Sequence, residues 1–301
     1  MTQSSGPSGV YPMLFAPFDA SDRLDRAGLA LQIDAMIAHG VHGIAVLGLA
    51  SEGNKLTSGE RRQLVEWTAE LIAGRKPFCV TVLEASPQGQ IDAVRAAGAL
   101  GAGWVILQPP PVRGVGEMAL VRFFGQVADK AEVPVAIQVA PEYLGVGMSA
   151  AGLATLHRNH ANVSLLKVET GAIDVARLRD ATDGAFAIFT GRAGIGVVDA
   201  IKGGAAGIIP GAESFDFLTR IFDTMTGRLP GGEAPASELY RRVLPLLVFL
   251  MDSIDNFLVY GKQVLGRRLP GFPPGPRLPF TPATAFGESL ARGYADSLGP
   301  L

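Results

Sequence analysis

Short, apolar, β-rich runs recur eight times along this chain, each followed by a longer segment with helical spacing. They fall at residues 11–16, 43–47, 78–82, 104–107, 135–139, 164–168, 187–189 and 207–209. Between them lie amphipathic patterns such as Ser58–Ile72, where Leu64, Val65, Thr68, Leu71 and Ile72 share a face behind a serine cap, with Glu60 in the first turn. Parallel strands need helical crossovers, and these runs are too apolar for a sheet with one wet face. The pattern therefore predicts a closed (β/α)8 TIM barrel, an α/β fold, with a doubly wound open sheet as the alternative. With 301 residues, 48% of them hydrophobic, the chain is long enough for one large core.

The last strand-helix unit ends near Arg228, so residues 1–228 are assigned to the barrel. Residues 229–235 read as a linker by composition, and 229–301 as linker plus C-terminal helical region. Within that appendage 237–265 and 283–298 look helical, separated by the proline-rich 269–282. A net charge of -2 offers no basic surplus for nucleic acid. Residues 1–10 carry no basic start or apolar stretch, and the most apolar run, 243–251, is too short to span a bilayer. A cytoplasmic protein without a membrane partner is expected. Cys79 is alone, so no intrachain disulfide can form. His39, His42, His157 and His160 fall away from the strand ends where chemistry gathers, and neither a metal nor a cofactor is expected. The glycines at 203–207 precede a strand, whereas a dinucleotide fingerprint follows one.

In a barrel of this kind the reacting groups lie at the carboxyl ends of the strands. The sixth run ends with Lys167 among apolar neighbours, followed by Glu169 and Gly171. A lysine forced inward loses hydration, which favours its neutral amine, the form that attacks a carbonyl to make a Schiff base. An ion pair with Glu169, two residues on and on the same strand face, is the other reading. The remaining strand ends present Ala50, Ser51 and Glu52 after the second, Glu84 after the third, Gln138 to Tyr143 at the fifth, Gly191 and Arg192 after the seventh, and Ile209 at the eighth.

Taken together, Ala16 to Asp19, the loop from Gly48 to Glu52 with Leu56, Thr57, Glu60 and Arg61 after it, Val133-Pro134-Val135 leading to Pro141, Lys167-Val168-Glu169-Thr170-Gly171 and the stretch from Gly203 to Gly211 resemble one known family. This is the dihydrodipicolinate synthase and N-acetylneuraminate lyase superfamily of Schiff-base aldolases, and the match covers nearly the whole chain. The resemblance implies a barrel with C-terminal helices, usually a tetramer, whose strand-six lysine forms an imine with a 2-oxo acid, most often pyruvate. Lys167 takes that role, and a homo-oligomer is expected. Relatives hold the keto acid's carboxylate through the backbone N–H groups and hydroxyls of a Gly-Thr-Thr-Gly-Glu loop; here it reads Gly48-Leu49-Ala50-Ser51-Glu52, so the turn's amides are left to bind the carboxylate, with Ser51 to supply one hydroxyl.

Family members also carry a proton-shuttling tyrosine at the end of strand five, where this chain has Gln138. An amide does not ionise in the useful range and cannot serve as general acid or base. Replacement candidates are Glu84, favoured as the acid/base, together with Tyr143 and Glu169. Glu84 has an alternative as a rim ion pair with Lys55 or Arg113, and Tyr143 as a loop aromatic packed on Pro141 and Leu144. Arg192 suits a substrate carboxylate or hydroxyl, or else neutralises Glu169. Ala50, Ser51, Glu52, Gln138, Gly191, Arg192 and Ile209 are the expected substrate-binding residues, with Lys167, Glu84 and Tyr143 catalytic. Two functions remain: a metal-independent Schiff-base lyase of aldolase or dehydratase type, or an impaired barrel that binds a keto acid without turnover.

Overall fold

The apolar runs become eight parallel strands because each is buried on both faces, by the barrel interior on one side and by helices on the other. The computed structural model describes residues 6–112 and 114–301. Met1–Ser5, the start of the segment read for a targeting signal, and Arg113 lie outside the described residues. The strands are β1 (Gly9–Val10), β2 (Ile44–Val46), β3 (Phe78–Val82), β4 (Trp104–Leu107), β5 (Val135–Val139), β6 (Val163–Val168), β7 (Ala187–Thr190) and β8 (Gly207–Ile208). Their order is β1-β8-β7-β6-β5-β4-β3-β2, all parallel. A bridge between Met13 and Ala45, carried by Ala45 N–H to Pro12 O at 2.9 Å, joins the two ends into a nearly closed TIM barrel.

Only the first strand departs much from its expected span. Pro12 has no N–H to give the ladder, so the regular strand stops at Val10. Tyr11 N–H to Ile208 O at 2.9 Å and Met13 N–H to Pro210 O at 2.8 Å nevertheless carry the pairing past it. Tyr11, Trp104 and Phe189 pack at centroid distances of 5.0 to 5.6 Å. Gly43 and Gly207 admit them, since a Cβ on either would stand within 2.4 Å of a Tyr11 or Phe189 ring atom. Small residues opposite large ones are how such a barrel fills itself.

The helices in chain order are α1 (Arg26–Ala38), α2 (Ser58–Ile72), α3 (Pro87–Ala99), α4 (Glu117–Ala128), α5 (Pro141–Leu144), α6 (Ala150–Asn159), α7 (Ala172–Ala181), α8 (Val197–Lys202), α9 (Phe215–Met225), α10 (Glu233–Leu250), α11 (Ile254–Arg268) and α12 (Ala285–Leu298). The cap of α2 is Thr57 rather than the expected Ser58: Thr57 Oγ1 accepts from Glu60 N–H, and Glu60 reaches back to Thr57 N–H in a capping box. The expected single helix at 237–265 is two, α10 and α11, because Ser253 starts a new helix by accepting from Asn256 N–H at 3.0 Å. That break places Met251, Ile254 and Phe257 over the barrel mouth. Among the described residues no helix is long and apolar enough to cross a membrane.

Candidate active site

β6 ends beside β5 and β7 in a register that sets Lys167 next to Gln138 and Phe189. The Lys167 side chain is 5% exposed, and its Nζ donates to Glu169 Oε1 at 2.8 Å. The two readings open in the sequence, a buried amine and a paired one, are therefore the same arrangement. Glu169 Oε2 accepts the backbone N–H of Arg192 at 2.6 Å, so one carboxylate ties the end of β6 to the turn after β7. Gly191 permits this approach: a Cβ there would lie 2.2 Å from Glu169 Oε2. Arg192 and Ala193 both sit at positive φ, 52° and 53°, a costly pair for residues with side chains and of the sort held at functional sites. Glu169 meets the backbone of Arg192 and not its guanidinium, for which no acceptor is found among the described residues.

The cavity around these groups has a mixed lining. Lys167, Glu169, Arg192 and Tyr143 supply every charged or hydroxyl-bearing side chain in its wall, and Met13, Leu49, Ile209, Met251, Ile254 and Phe257 supply most of its apolar surface, with Ala50 and Ala193. It holds about 50 Å³ of free space, and about 440 Å³ when its open mouth is counted. Tyr143, on the short helix α5, is 40% exposed. Burial holds its phenol above the ordinary value, Glu169 adds to this and Arg192 opposes it, so Tyr143 stays a proton-bearing donor at neutral pH.

Five of the expected residues lie outside the cavity lining; one is Gly191, whose place beside Glu169 is given above. Ser51 is fully buried in the 3₁₀ turn Leu49–Ser51; its hydroxyl donates to Leu14 O at 2.6 Å and accepts from Leu47 N–H at 3.0 Å, which leaves nothing for a substrate carboxylate. Glu52 is also fully buried and points away from the cavity, where it accepts from Lys55 Nζ at 2.8 Å, Arg277 N–H at 3.0 Å and Lys262 Nζ. Glu84, favoured from sequence as the acid/base, pairs with Arg61 at 3.1 Å and lines a separate cavity of about 280 Å³ between α2 and α3. Its partner is thus neither Lys55 nor a group at the amine. Gln138 is 2% exposed beside Lys167, with its Oε1 accepting from Gln108 Nε2 at 3.1 Å. It is a packed neighbour of the amine, in the place of an ionisable group.

A model of the dihydrodipicolinate synthetase family matches residues 6–287. The chain belongs to the dihydrodipicolinate synthetase family. It is 30% identical over 255 residues to L-2-keto-3-deoxyarabonate dehydratase of Azospirillum brasilense, covering 82% of this chain and 81% of that protein. Among solved structures it is similar to a putative dihydrodipicolinate synthetase from Pseudomonas aeruginosa, at 26% identity and TM-score 0.88 over 97% of this chain and 100% of the other. It shares its fold with YagE, a prophage protein of the dihydrodipicolinic acid synthase family from Escherichia coli K12 in complex with pyruvate, at 21% identity and TM-score 0.87 over 97% and 98% of the two chains.

Within this family member, sequence reasoning reached Lys167, Arg192, Tyr143, Ala50 and Ile209 in the cavity wall and named Glu169 as one of several replacements for the tyrosine. It did not reach Met13, which follows β1, or Met251, Ile254 and Phe257 at the break between α10 and α11, because an apolar residue in a strand or helix pattern carries no signal that it covers a mouth and not a core. Glu213, after β8, was also missed. It is fully buried, its Oε1 accepts from the Ser214 hydroxyl at 3.0 Å, and burial pushes it up to about 7. Among the described residues, no group of three or more His, Cys, Asp and Glu side chains is arranged to hold a metal ion.

Proposed function

We propose that this protein is a lyase that joins Lys167 to a 2-oxo acid as a Schiff base and then cleaves a carbon-carbon bond or eliminates water. The observation that carries the reading is the Lys167 amine, held in the wall of a cavity at the strand ends with a carboxylate 2.8 Å away. Membership of a family that includes a dehydratase relative and a fold neighbour in complex with pyruvate supports it.

In the proposed sequence the amine of Lys167 adds to C2 of the keto acid, and water leaves to give an iminium. Glu169 is the acid/base in place of the absent tyrosine, because it is already hydrogen-bonded to the amine and needs no relay. For cleavage, a base takes the proton of the C4 hydroxyl, the C3–C4 bond breaks, an aldehyde leaves, and its electron pair remains as an enamine. Protonation at C3 and addition of water return the keto acid and the free amine. For dehydration the same iminium acidifies the C3 proton, and hydroxide leaves from C4 as water. The iminium accepts the electron pair in either case, so the lysine defines the intermediate and the rest of the cavity the product.

The test is incubation with pyruvate and borohydride followed by peptide mass spectrometry. A reduced adduct on the Lys167 peptide is expected; an unmodified peptide ends the proposal. Gln138 in the tyrosine position favours one other reading, a barrel that binds a keto acid without turnover. An adduct with no product from a panel of aldehydes and 3-deoxy sugar acids would select it.

A further inference from the structure

The amide of Gln138 is only half used. β5 and β6 pair so that Gln138 lies directly beside Lys167. Paired positions on neighbouring strands, about 4.8 Å apart, turn their side chains to the same face of the sheet. Lys167 lines the cavity, so Gln138 shares its side of the barrel. Gln138 is 2% exposed; its Oε1 accepts from Gln108 Nε2 at 3.1 Å, whereas its Nε2 has no hydrogen-bond partner among the described residues. A buried N–H without an acceptor costs stability, and folded proteins keep few of them. Gln108 decides which end of the amide is free. It follows β4, the other neighbour of β5, so the Gln138 oxygen is drawn to the β4 side and the NH2 group is left toward β6, where Lys167 lies. Gln108 is itself 8% exposed, and Gln90, on α3, holds its backbone by donating to Gln108 O at 2.8 Å while also donating to Glu84 O at 2.9 Å. The buried amides of Gln90, Gln108 and Gln138 thus form a series that ends in an open donor beside the amine.

Imine formation needs such a donor. Attack by Lys167 brings the reacting atoms to about 3–3.5 Å, and negative charge then builds on the C2 oxygen. Glu169, engaged with the amine and with the Arg192 backbone, offers that oxygen no hydrogen bond. The Tyr143 hydroxyl belongs to a side chain that is 40% exposed, where water weakens its effect. The backbone N–H groups of Leu49 and Ala50 line the cavity without an acceptor among the described residues, but they follow β2, opposite β6 in the ring. Those two suit the acid's carboxylate and leave the C2 oxygen to the β6 side. An amide does not transfer a proton in the useful pH range, yet its N–H stabilises charge in place, most of all where water is excluded.

We infer, on the Schiff-base reading above, that Gln138 is a further catalytic residue whose Nε2–H donates to the C2 oxygen of the 2-oxo acid while Lys167 attacks. Gln108 is a positioning residue that turns the amide to present nitrogen instead of oxygen. The nitrogen's lone pair forms the N–C2 bond as the carbonyl pair moves to oxygen, and a second nitrogen pair closes C=N as the C–O bond breaks. Counted from the ammonium, the nitrogen gives up two protons, which leave with the oxygen as water, and the positive charge stays on the iminium. Gln138 keeps both of its own protons throughout.

The iminium has lost the C2 oxygen, so removing its donor slows the approach to equilibrium and leaves the end point nearly where it was. The experiment is rapid mixing of the full chain with pyruvate, a borohydride quench at a series of times, and mass spectrometry of the Lys167 peptide. Gln138→Met, similar in length but without the N–H, should lower the rate of adduct formation at saturating pyruvate by about 10²-fold, the usual loss for one such donor. The pyruvate concentration giving half of the end-point adduct should move by no more than about twofold. Gln108→Met keeps the Gln138 amide but frees it to rotate, and should slow the same step by roughly tenfold with the same end point. It becomes the deciding variant if Gln138→Met does not fold. An undiminished rate in the deciding variant makes Gln138 a packing residue and overturns the assignment. A raised half-saturating concentration at an unchanged rate puts the amide on another part of the acid and overturns it as well. A wild-type rate in Gln108→Met beside a slow Gln138→Met strikes the positioning role alone. If pyruvate leaves no adduct on the wild type, the Schiff-base reading falls and the role of Gln138 with it; an adduct whose rate ignores Gln138 removes only the latter.

Discussion

Lys167 and Lys262 are both buried lysines joined to a glutamate, and they differ in what else surrounds the nitrogen. Lys262, on α11, has no exposed surface; its Nζ donates to Glu52, to Ala16 O at 2.7 Å and to Gly275 O at 3.2 Å, and stands 4.6 Å from the Phe18 ring centroid. Burial pushes its pKa down to about 8, with Glu52 opposing. Lys167 has a single hydrogen-bond partner among the described residues and a cavity beside it. Burial and a carboxylate partner are thus common to both amines and do not by themselves favour one as the proposed nucleophile. Lys262 uses all three N–H bonds to hold the C-terminal helices on the barrel, whereas Lys167 borders a cavity, the access that the proposed attack on a carbonyl carbon requires.

The difference breaks first, and by the largest effect, at Lys167→Ala. We expect the borohydride adduct to vanish and kcat/KM to fall at least about 10³-fold while far-UV circular dichroism is unchanged. An adduct persisting in that variant, on Lys262 or elsewhere, would overturn the distinction. Glu169→Gln should lower kcat by roughly 10² to 10⁴, the range for a general acid/base, with slower adduct formation but the same peptide labelled. Full activity would show that protons move by another route.

Lys262→Met sharpens the contrast from the other side. Removing one member of a buried pair leaves Glu52 with less compensation, a loss of about 3 kcal/mol in urea unfolding, with the Lys167 adduct retained. Stability unchanged within error would make the anchor role wrong. The same variant tests the pH dependence. A lysine pKa lowered on folding means the unfolded chain binds more protons between about 8 and the ordinary 10.5, so this group's contribution to stability rises with pH across that interval. The rise, up to ~3 kcal/mol, should be present in the wild type and missing from Lys262→Met; parallel pH profiles would refute it. The smallest effect is expected at Glu84→Gln: turnover within about twofold and no more than ~1 kcal/mol of stability, because its partner Arg61 lies at a partly exposed pair outside the cavity. A tenfold loss of kcat would return Glu84 to the reaction.

Much of the site was legible because its chemistry is exceptional for its setting. A charged residue inside an apolar strand, as at Lys167, marks itself, and so does the Gly191-Arg192 turn after a strand. The misplacements share one cause. Ser51, Glu52 and Glu84 all follow a strand end, which fixes their height in the barrel but not the direction of their side chains. A 3₁₀ turn rotates Ser51 toward Leu14, and Glu52 in a left-handed conformation is drawn outward to Lys262, distant in sequence. Arg61, one turn into α2, captures Glu84. Each of these partners belongs to a different element, and sequence spacing does not report which one arrives.

The linear order of residues was enough to set the alternation of strands and helices, hence the parallel barrel, and to single out one lysine, because hydrophobic periodicity and the cost of hiding a charge are local properties. Strand spacing already offered Glu169 as a partner for that lysine, but packing alone decided that Glu84 stays away from it and that Met251, Ile254 and Phe257 from the break between α10 and α11 help line the cavity. Those outcomes depend on side-chain direction and on contacts between distant segments, which exist only once the barrel has closed and the C-terminal helices have docked on it.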